Sequence, residues 1–221
     1  MSHKPLTDKN RVEAFSDGVF AIALTLLVLD LHVPHLEGTV TSHALLNALW
    51  QMWPSLHAML YSFFIELAMW YTHHDLMQWV RGVDKCFLFA NGFLLLMVVL
   101  MPYPTAILGE YFNTPARTGA IALYIGFTAV VAFSFLLFLL SITVNRRLLR
   151  EHVSEERIAV VRRAYLFGPV AYGALLLLSF RWPMTALTLA LAMWILWLGL
   201  DYREKQTSEH PALNPEKRES R

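Results

Sequence analysis

The sequence predicts an all-α, polytopic membrane protein with six transmembrane helices, and three observations carry that prediction. Of its 221 residues 56% are hydrophobic and 16% charged, with a mean hydropathy of +0.44; this is too apolar for an ordinary soluble domain and excludes a disordered chain. The apolar residues fall in runs long enough to cross a hydrocarbon core of about 30 Å, which takes roughly 20 residues of helix. The basic residues gather in alternate connections between those runs, the pattern of loops retained in the cytoplasm.

The first run, residues 12–33, follows a polar stretch with Lys4, Asp8, Lys9, Arg11 and Glu13 and has no small-residue cleavage site. It is therefore expected to stay in the membrane rather than leave as a signal peptide. The second run, 44–80, is longer than a crossing needs, so a single helix there has to tilt or protrude. Trp50 and Trp53 near one end and Trp79 at the other mark two interfacial belts. The third, 87–108, ends in Pro102-Tyr103-Pro104, which stops or kinks it. The fourth covers 118–144, and the fifth covers 158–180 with Gly168-Pro169 inside it. The sixth, 182–200, has Pro183 in its first turn, where a missing N–H costs little.

Every Lys and Arg except Arg117 and Arg181 falls in the N-terminal tail, the second-to-third connection, the fourth-to-fifth connection (with Arg162 and Arg163, in the opening turns of the fifth run, counted to it) or the C-terminal tail. Six crossings put all of those on one side with both termini in the cytoplasm, whereas five would place the C-terminal charges outside. The chain thus divides into a cytoplasmic tail (1–10), a six-helix membrane domain (11–203) and a disordered cytoplasmic tail (204–221). A net charge of +1 offers no general attraction to nucleic acid, and the single cysteine, Cys86, supports neither an internal disulfide nor a thiolate metal site.

Polar groups inside hydrocarbon are expensive and mark candidate sites. On the first helix, Gly18, Ile22, Thr25 and Leu29 recur at spacings of four, three and four and so share one stripe, while Asp17 points about 100° away from Gly18. Such a small, uncharged, mostly apolar stripe is ordinarily a helix-packing face; in a symmetric oligomer it lines an axis. The second helix returns towards the cytoplasm, so His73, His74 and Asp75 should reach the depth of Arg11, Ser16 and Asp17 and join them in a polar network. Adjacent histidines diverge by about 100° on a helix, so one metal does not readily take both. Structural hydrogen bonding is the leading reading, with a metal site or a pH-responsive role as alternatives. Glu66 sits nearer the middle of that helix, one turn from Ser62 and from Trp70, and His57 lies closer to its outer end. No Gly-rich phosphate loop, His-Glu-x-x-His, Gly-x-Ser-x-Gly or Thr-Val-Gly-Tyr-Gly filter occurs. No enzyme chemistry or resident cofactor is therefore expected.

Arg11-x-x-x-Phe15-Ser16-Asp17, running into Gly18-Val-Phe-Ala-Ile-Ala-Leu-Thr-Leu-Leu-Val-Leu, resembles the opening signature of the transmembrane protein 175 family, the endosomal and lysosomal potassium channels and their prokaryotic homologues. Trp53-Pro54-Ser55, Tyr61-Ser62-Phe63, Trp70, His73-His74, Asn91 and Pro102-Tyr-Pro-Thr105 follow in order. The similarity covers roughly 9–203, Glu66 departs from the family's pattern, and a single copy of the motif resembles the prokaryotic branch. The resemblance implies a homotetramer in the bilayer of a bacterial or archaeal cell, conducting monovalent cations with modest preference for K⁺ over Na⁺ through a central pore lined by the first helix. Carried over residue by residue, it makes Ile22 the constriction, Thr25 a hydroxyl ring, Leu29 a further apolar ring and Gly18 a pore-lining position. Arg11, Ser16, Asp17, Trp70, His73 and His74 become the network that holds the first helix. The competing readings are a proton-coupled secondary transporter using Asp17, Glu66 or the histidines, and a membrane enzyme or scaffold using the histidine pair.

Overall fold

The computed structural model describes residues 8–36, 38, 40–144, 146–151 and 153–194 and is built of helices. Helix α1 (Lys9–Leu26) begins under Asp8, whose carboxylate accepts from the Asn10 N–H at 3.0 Å, an N-cap contact. It tightens into a 3₁₀ turn at Leu27–Asp30, and residues 31–36 are not helical. The expected helix over 12–33 is therefore cut short. Pro34 is the reason, because in a continuing helix its ring would crowd the Asp30 carbonyl.

The single long helix expected over 44–80 is instead two. Helix α2 (Ser42–Gln51) is capped by Thr41 and buries none of its residues. The chain breaks at Met52, and α3 runs over Trp53–Gln78. Pro54 accounts for the break: it has no N–H for the Trp50 carbonyl and collides with it, yet fits the first turn of a new helix. Helix α4 (Lys85–Leu100) is capped by Asp84 and is followed by α5 (Pro102–Tyr111). Met101 keeps helical angles (φ −58°, ψ −36°), so the Pro-Tyr-Pro motif kinks the run without ending it, and the Thr105 hydroxyl donates to the Met101 carbonyl at 2.8 Å. Helices α6 (Arg117–Thr143) and α7 (Glu155–Ser179) follow, and α7 passes Pro169 without leaving the helical state. Helix α8 (Pro183–Trp194) starts at Pro183 as expected. The rest of the sixth run, 195–200, and both tails, 1–7 and 204–221, lie outside the described residues.

Among the described residues, four stretches are long and apolar enough to cross a membrane: Lys9–Leu29, Lys85–Tyr111, Arg117–Thr143 and Glu155–Ser179. The expected count of six also needs α3 and α8. Helix α3 has the length, 26 residues or about 39 Å at ~1.5 Å per residue, but Glu66, His73, His74 and Asp75 lower its apolarity. Helix α8 is described only as far as Trp194.

Helix α6 is the hub of the core, packed against α4, α5 and α7, with Ile121, Tyr124, Ile125, Phe138, Leu139 and Ile142 buried. Helices α3 and α5 approach closely at Gly109, where a Cβ would come within 2.7 Å of the Ser55 Cα. At the opposite end of the bundle, the two basic connections meet in a bridge between Val80 and Leu149. The Arg81 N–H donates to the Leu148 carbonyl and the Arg150 N–H to that of Trp79, both at 2.9 Å. Helix α1 stands at the margin, in contact with α3 and α4.

Candidate functional site

Helix α1 has two opposed faces. Ser16, Phe20, Ala23 and Leu27 are buried against the bundle, spaced four, three and four. Gly18, Ile22, Thr25 and Leu29 repeat that spacing two residues later, about 200° around the helix, and all four are exposed. Ile22 is 61% and Leu29 69% exposed, and nothing lies within 4 Å of a Cβ built on Gly18. Among the described residues, therefore, nothing covers this stripe or requires a glycine in it. Leu29 projects from the 3₁₀ turn rather than from the α-helix proper. The Thr25 hydroxyl donates to the Ile22 carbonyl at 2.7 Å, which leaves its oxygen free to accept.

Beneath the buried face a directed chain of hydrogen bonds ties α1 to α3 through α4. His73 Nε2–H donates to Asn91 Oδ1 at 2.9 Å, Asn91 Nδ2–H donates to Ser16 Oγ at 3.0 Å, and the Ser16 hydroxyl donates to the Val12 carbonyl at 2.9 Å. Ser16, His73 and Asn91 are all at most 3% exposed. The His73 ring is wedged between Phe138, stacked at 5.0 Å, and Phe20 at 5.4 Å. A second tie runs from the Trp70 indole N–H to Asp17 Oδ1 at 2.9 Å. The Trp70 ring also stacks on His74 at 5.8 Å, and His74 Nδ1 lies 3.8 Å from Glu13 Oε1, itself paired with Lys9 at 3.3 Å.

Ser16, Asp17, Trp70, His73 and His74 thus come together as the sequence suggests. Arg11 does not join them: it is exposed and has no hydrogen bond or ion pair among the described residues. At position 11, about 140° around the helix from Ser16, it turns away from the chain that Ser16 enters. Asn91 is the member that residue-by-residue reading underrates, since an amide in an apolar helix is visible but its bridging of two other helices is not. The two histidines diverge to different partners, and no cluster of three metal-ligating side chains forms among the described residues.

Glu66 is fully buried, and neither carboxyl oxygen has a hydrogen-bond partner among the described residues. One turn away, Ser62 takes part in a separate chain: with the Thr105 proton committed to the Met101 carbonyl, Ser62 Oγ lies 2.7 Å from the Thr105 hydroxyl oxygen, which is left to accept, and 2.9 Å from the Tyr124 hydroxyl. His57 is exposed, its Nδ1–H donating to the Trp53 carbonyl at 2.8 Å.

The sequence profile of the family described as endosomal/lysosomal potassium channel TMEM175 matches residues 11–102. A protein from Chamaesiphon minutus named a potassium channel is 38% identical over 174 residues, spanning 79% of this chain and 85% of the relative. Another so named, from Streptomyces collinus, is 35% identical over 176 residues, covering 79% and 84%. The human protein named endosomal/lysosomal proton channel TMEM175 is 38% identical over 105 residues, which is 45% of this chain and 21% of the human one. The crystal structure described as a lysosomal potassium-selective channel TMEM175 homolog from Chamaesiphon minutus superposes with a TM-score of 0.76 at 34% identity, covering 86% of this chain and 96% of that one. With its opening motif, helical architecture and near full-length relatives in agreement, the chain belongs to the TMEM175 family, on its prokaryotic side.

Proposed function

We propose that the protein is a potassium-permeable cation channel of the cell membrane, a homotetramer whose pore is lined by α1 from each subunit. The observation that carries this reading is the exposed, mostly apolar stripe of α1 from Gly18 to Leu29, about 17 Å long at ~1.5 Å per residue, opposite the face that packs on the bundle. Four copies facing one axis cover it. Gly18 then permits close approach at one end, Ile22 makes the neck, and Thr25 and Leu29 form the rings beyond it. A narrow isoleucine neck closes by contact and by dewetting. The Thr25 hydroxyl, its proton committed to the Ile22 carbonyl, presents only oxygen lone pairs to a passing cation. Selectivity follows from hydration: Na⁺ holds its water more strongly than K⁺, and an apolar neck with one hydroxyl ring replaces that water only in part, so the preference for K⁺ is modest. The network on His73, Asn91, Ser16, Asp17 and Trp70 holds α1 in register, which gives the neck a defined width. Both termini lie in the cytoplasm, on the side of the basic connections that meet at Val80 and Leu149.

The test is planar-bilayer recording with asymmetric KCl and NaCl on the purified protein and on Ile22→Asn. Discrete currents reversing towards the potassium potential, with larger and less selective flux in the variant, are expected. Conductance and selectivity unchanged by Ile22→Asn would remove the neck from α1. Saturable proton-coupled uptake without single-channel steps would favour the transporter, although its most visible helix break, Gly168-Pro169, lies within an unbroken α7 where a transporter site calls for a discontinuous helix.

A further inference from the structure

At the end of the bundle where α1 finishes, a crevice of about 510 Å³ opens between α3, α5 and the segment after the 3₁₀ turn, with Ser55, Met59, His32, Tyr103, Glu110 and Tyr111 in its walls. Its volume is that of a small-molecule site. Tyr103, Glu110 and Tyr111 stand seven and eight residues apart on α5, so they share one helix face and present two aromatic rings and a carboxylate to the same space. Glu110 is exposed and makes no ion pair or hydrogen bond among the described residues. The basic side chain nearest to it in sequence, Arg117, is committed elsewhere: its Nε–H donates to the Phe112 carbonyl at 2.6 Å and its guanidinium lies 5.6 Å from that ring. The opposite wall is rigid, because α3 and α5 meet in backbone contact at Ser55 and Gly109.

We propose that this crevice binds a small organic ammonium cation, seated against the Tyr103 and Tyr111 rings with its charge towards Glu110. Ring faces attract alkylammonium groups, and a nearby carboxylate adds a charge partner. One carboxylate with two phenols is a poor match for a hard metal ion, which gathers six or more oxygens. The site lies off the proposed pore face, on a different helix. Because His32 follows directly on the turn that ends α1, an occupant also reaches the end of that helix.

Isothermal titration of the purified full-length protein with tetraethylammonium chloride, against sodium chloride of equal ionic strength, tests this independently of any current. Saturable binding of one cation per subunit is expected. It should weaken by about tenfold or more in Glu110→Gln and in Tyr103→Leu, the size of effect a lost charge partner or ring produces at a cation site. Ile22→Asn should bind as the parent does. Both crevice side chains are exposed, so the variants should keep the parent's melting temperature, which separates lost binding from lost folding. Absence of saturable heat, binding that both crevice substitutions leave unchanged, or binding abolished by Ile22→Asn would each overturn the proposal, the last by placing the cation in the pore.

Discussion

Replacing Asn91 by leucine isolates the central joint between α1 and the bundle. The amide performs two tasks at once, accepting from His73 at 2.9 Å and donating to Ser16 at 3.0 Å. Leucine has nearly the same reach and no polar atoms, so its volume fits while both bonds disappear. Ser16 still donates to the Val12 carbonyl and loses only an accepted bond, about 0.5–1.5 kcal/mol. His73 fares worse. Its Nδ1 already lacks a partner and it is fully buried, so an orphaned Nε2–H costs about 1–3 kcal/mol more. The sum is roughly 1.5–4.5 kcal/mol, or a fall of roughly 3–18 °C in melting temperature for a chain of this size. The decisive comparison is the double variant His73→Phe with Asn91→Leu. Phe20 and Phe138 already pack against this ring, so an aromatic hydrocarbon suits it, and removing both partners should recover most of the loss. Scanning fluorimetry of the detergent-solubilised protein provides the melting temperatures. A single Asn91→Leu variant within 2 °C of the parent, or a double variant whose losses simply add, would refute the joint.

Three further outcomes follow from the same coordinates. Asp17→Ala removes the acceptor for the Trp70 indole N–H and, if α1 lines the proposed tetramer, should lower the fraction of that assembly, read by light scattering after size exclusion, before it alters ion selectivity; parent-like assembly with parent-like currents would exclude the anchoring role. Gly109→Ala drives a methyl towards the Ser55 Cα, 2.7 Å away, and should destabilise by about 1–3 kcal/mol, visible as a lower melting temperature; an unchanged transition would mean that α3 and α5 separate readily. Glu66→Met exchanges a buried carboxyl lacking hydrogen-bond partners for an apolar side chain of similar length and should raise the melting temperature by several degrees, since burying an unpartnered polar group costs about 1–3 kcal/mol on mutational scales; a lower one would show that Glu66 has a partner that the isolated subunit lacks.

Local chemistry made most of the helices legible. Runs of apolar residues and a proline at the first turn of α8 act within a few residues of chain, and they read directly from the order of the amino acids; the caps at Asp8, Thr41 and Asp84 are just as local but became visible only in the structure. Even the proline at position 54 carried the information that the second run divides, because its missing N–H and its ring act on the turn before it; the long hydrophobic run around it concealed the break. The exposed stripe of α1 was equally local, since helical periodicity alone puts Gly18, Ile22, Thr25 and Leu29 on one face.

By itself, then, the sequence determined that this is a multi-helix membrane protein of a recognisable family, with its polar residues concentrated where α1 meets α3. Which partner each polar group takes was decided only in the tertiary structure. Asn91 lies 75 residues from Ser16 and 18 from His73, and whether it reaches both depends on the tilt and axial register of three helices, set by how those helices pack, Phe20 and Phe138 against the His73 ring among the contacts. The same packing turned Arg11 outward, enclosed Glu66 without a hydrogen-bond partner and left one face of α1 uncovered. Periodicity specifies directions around a single helix axis; only packing brings those directions to bear on one another.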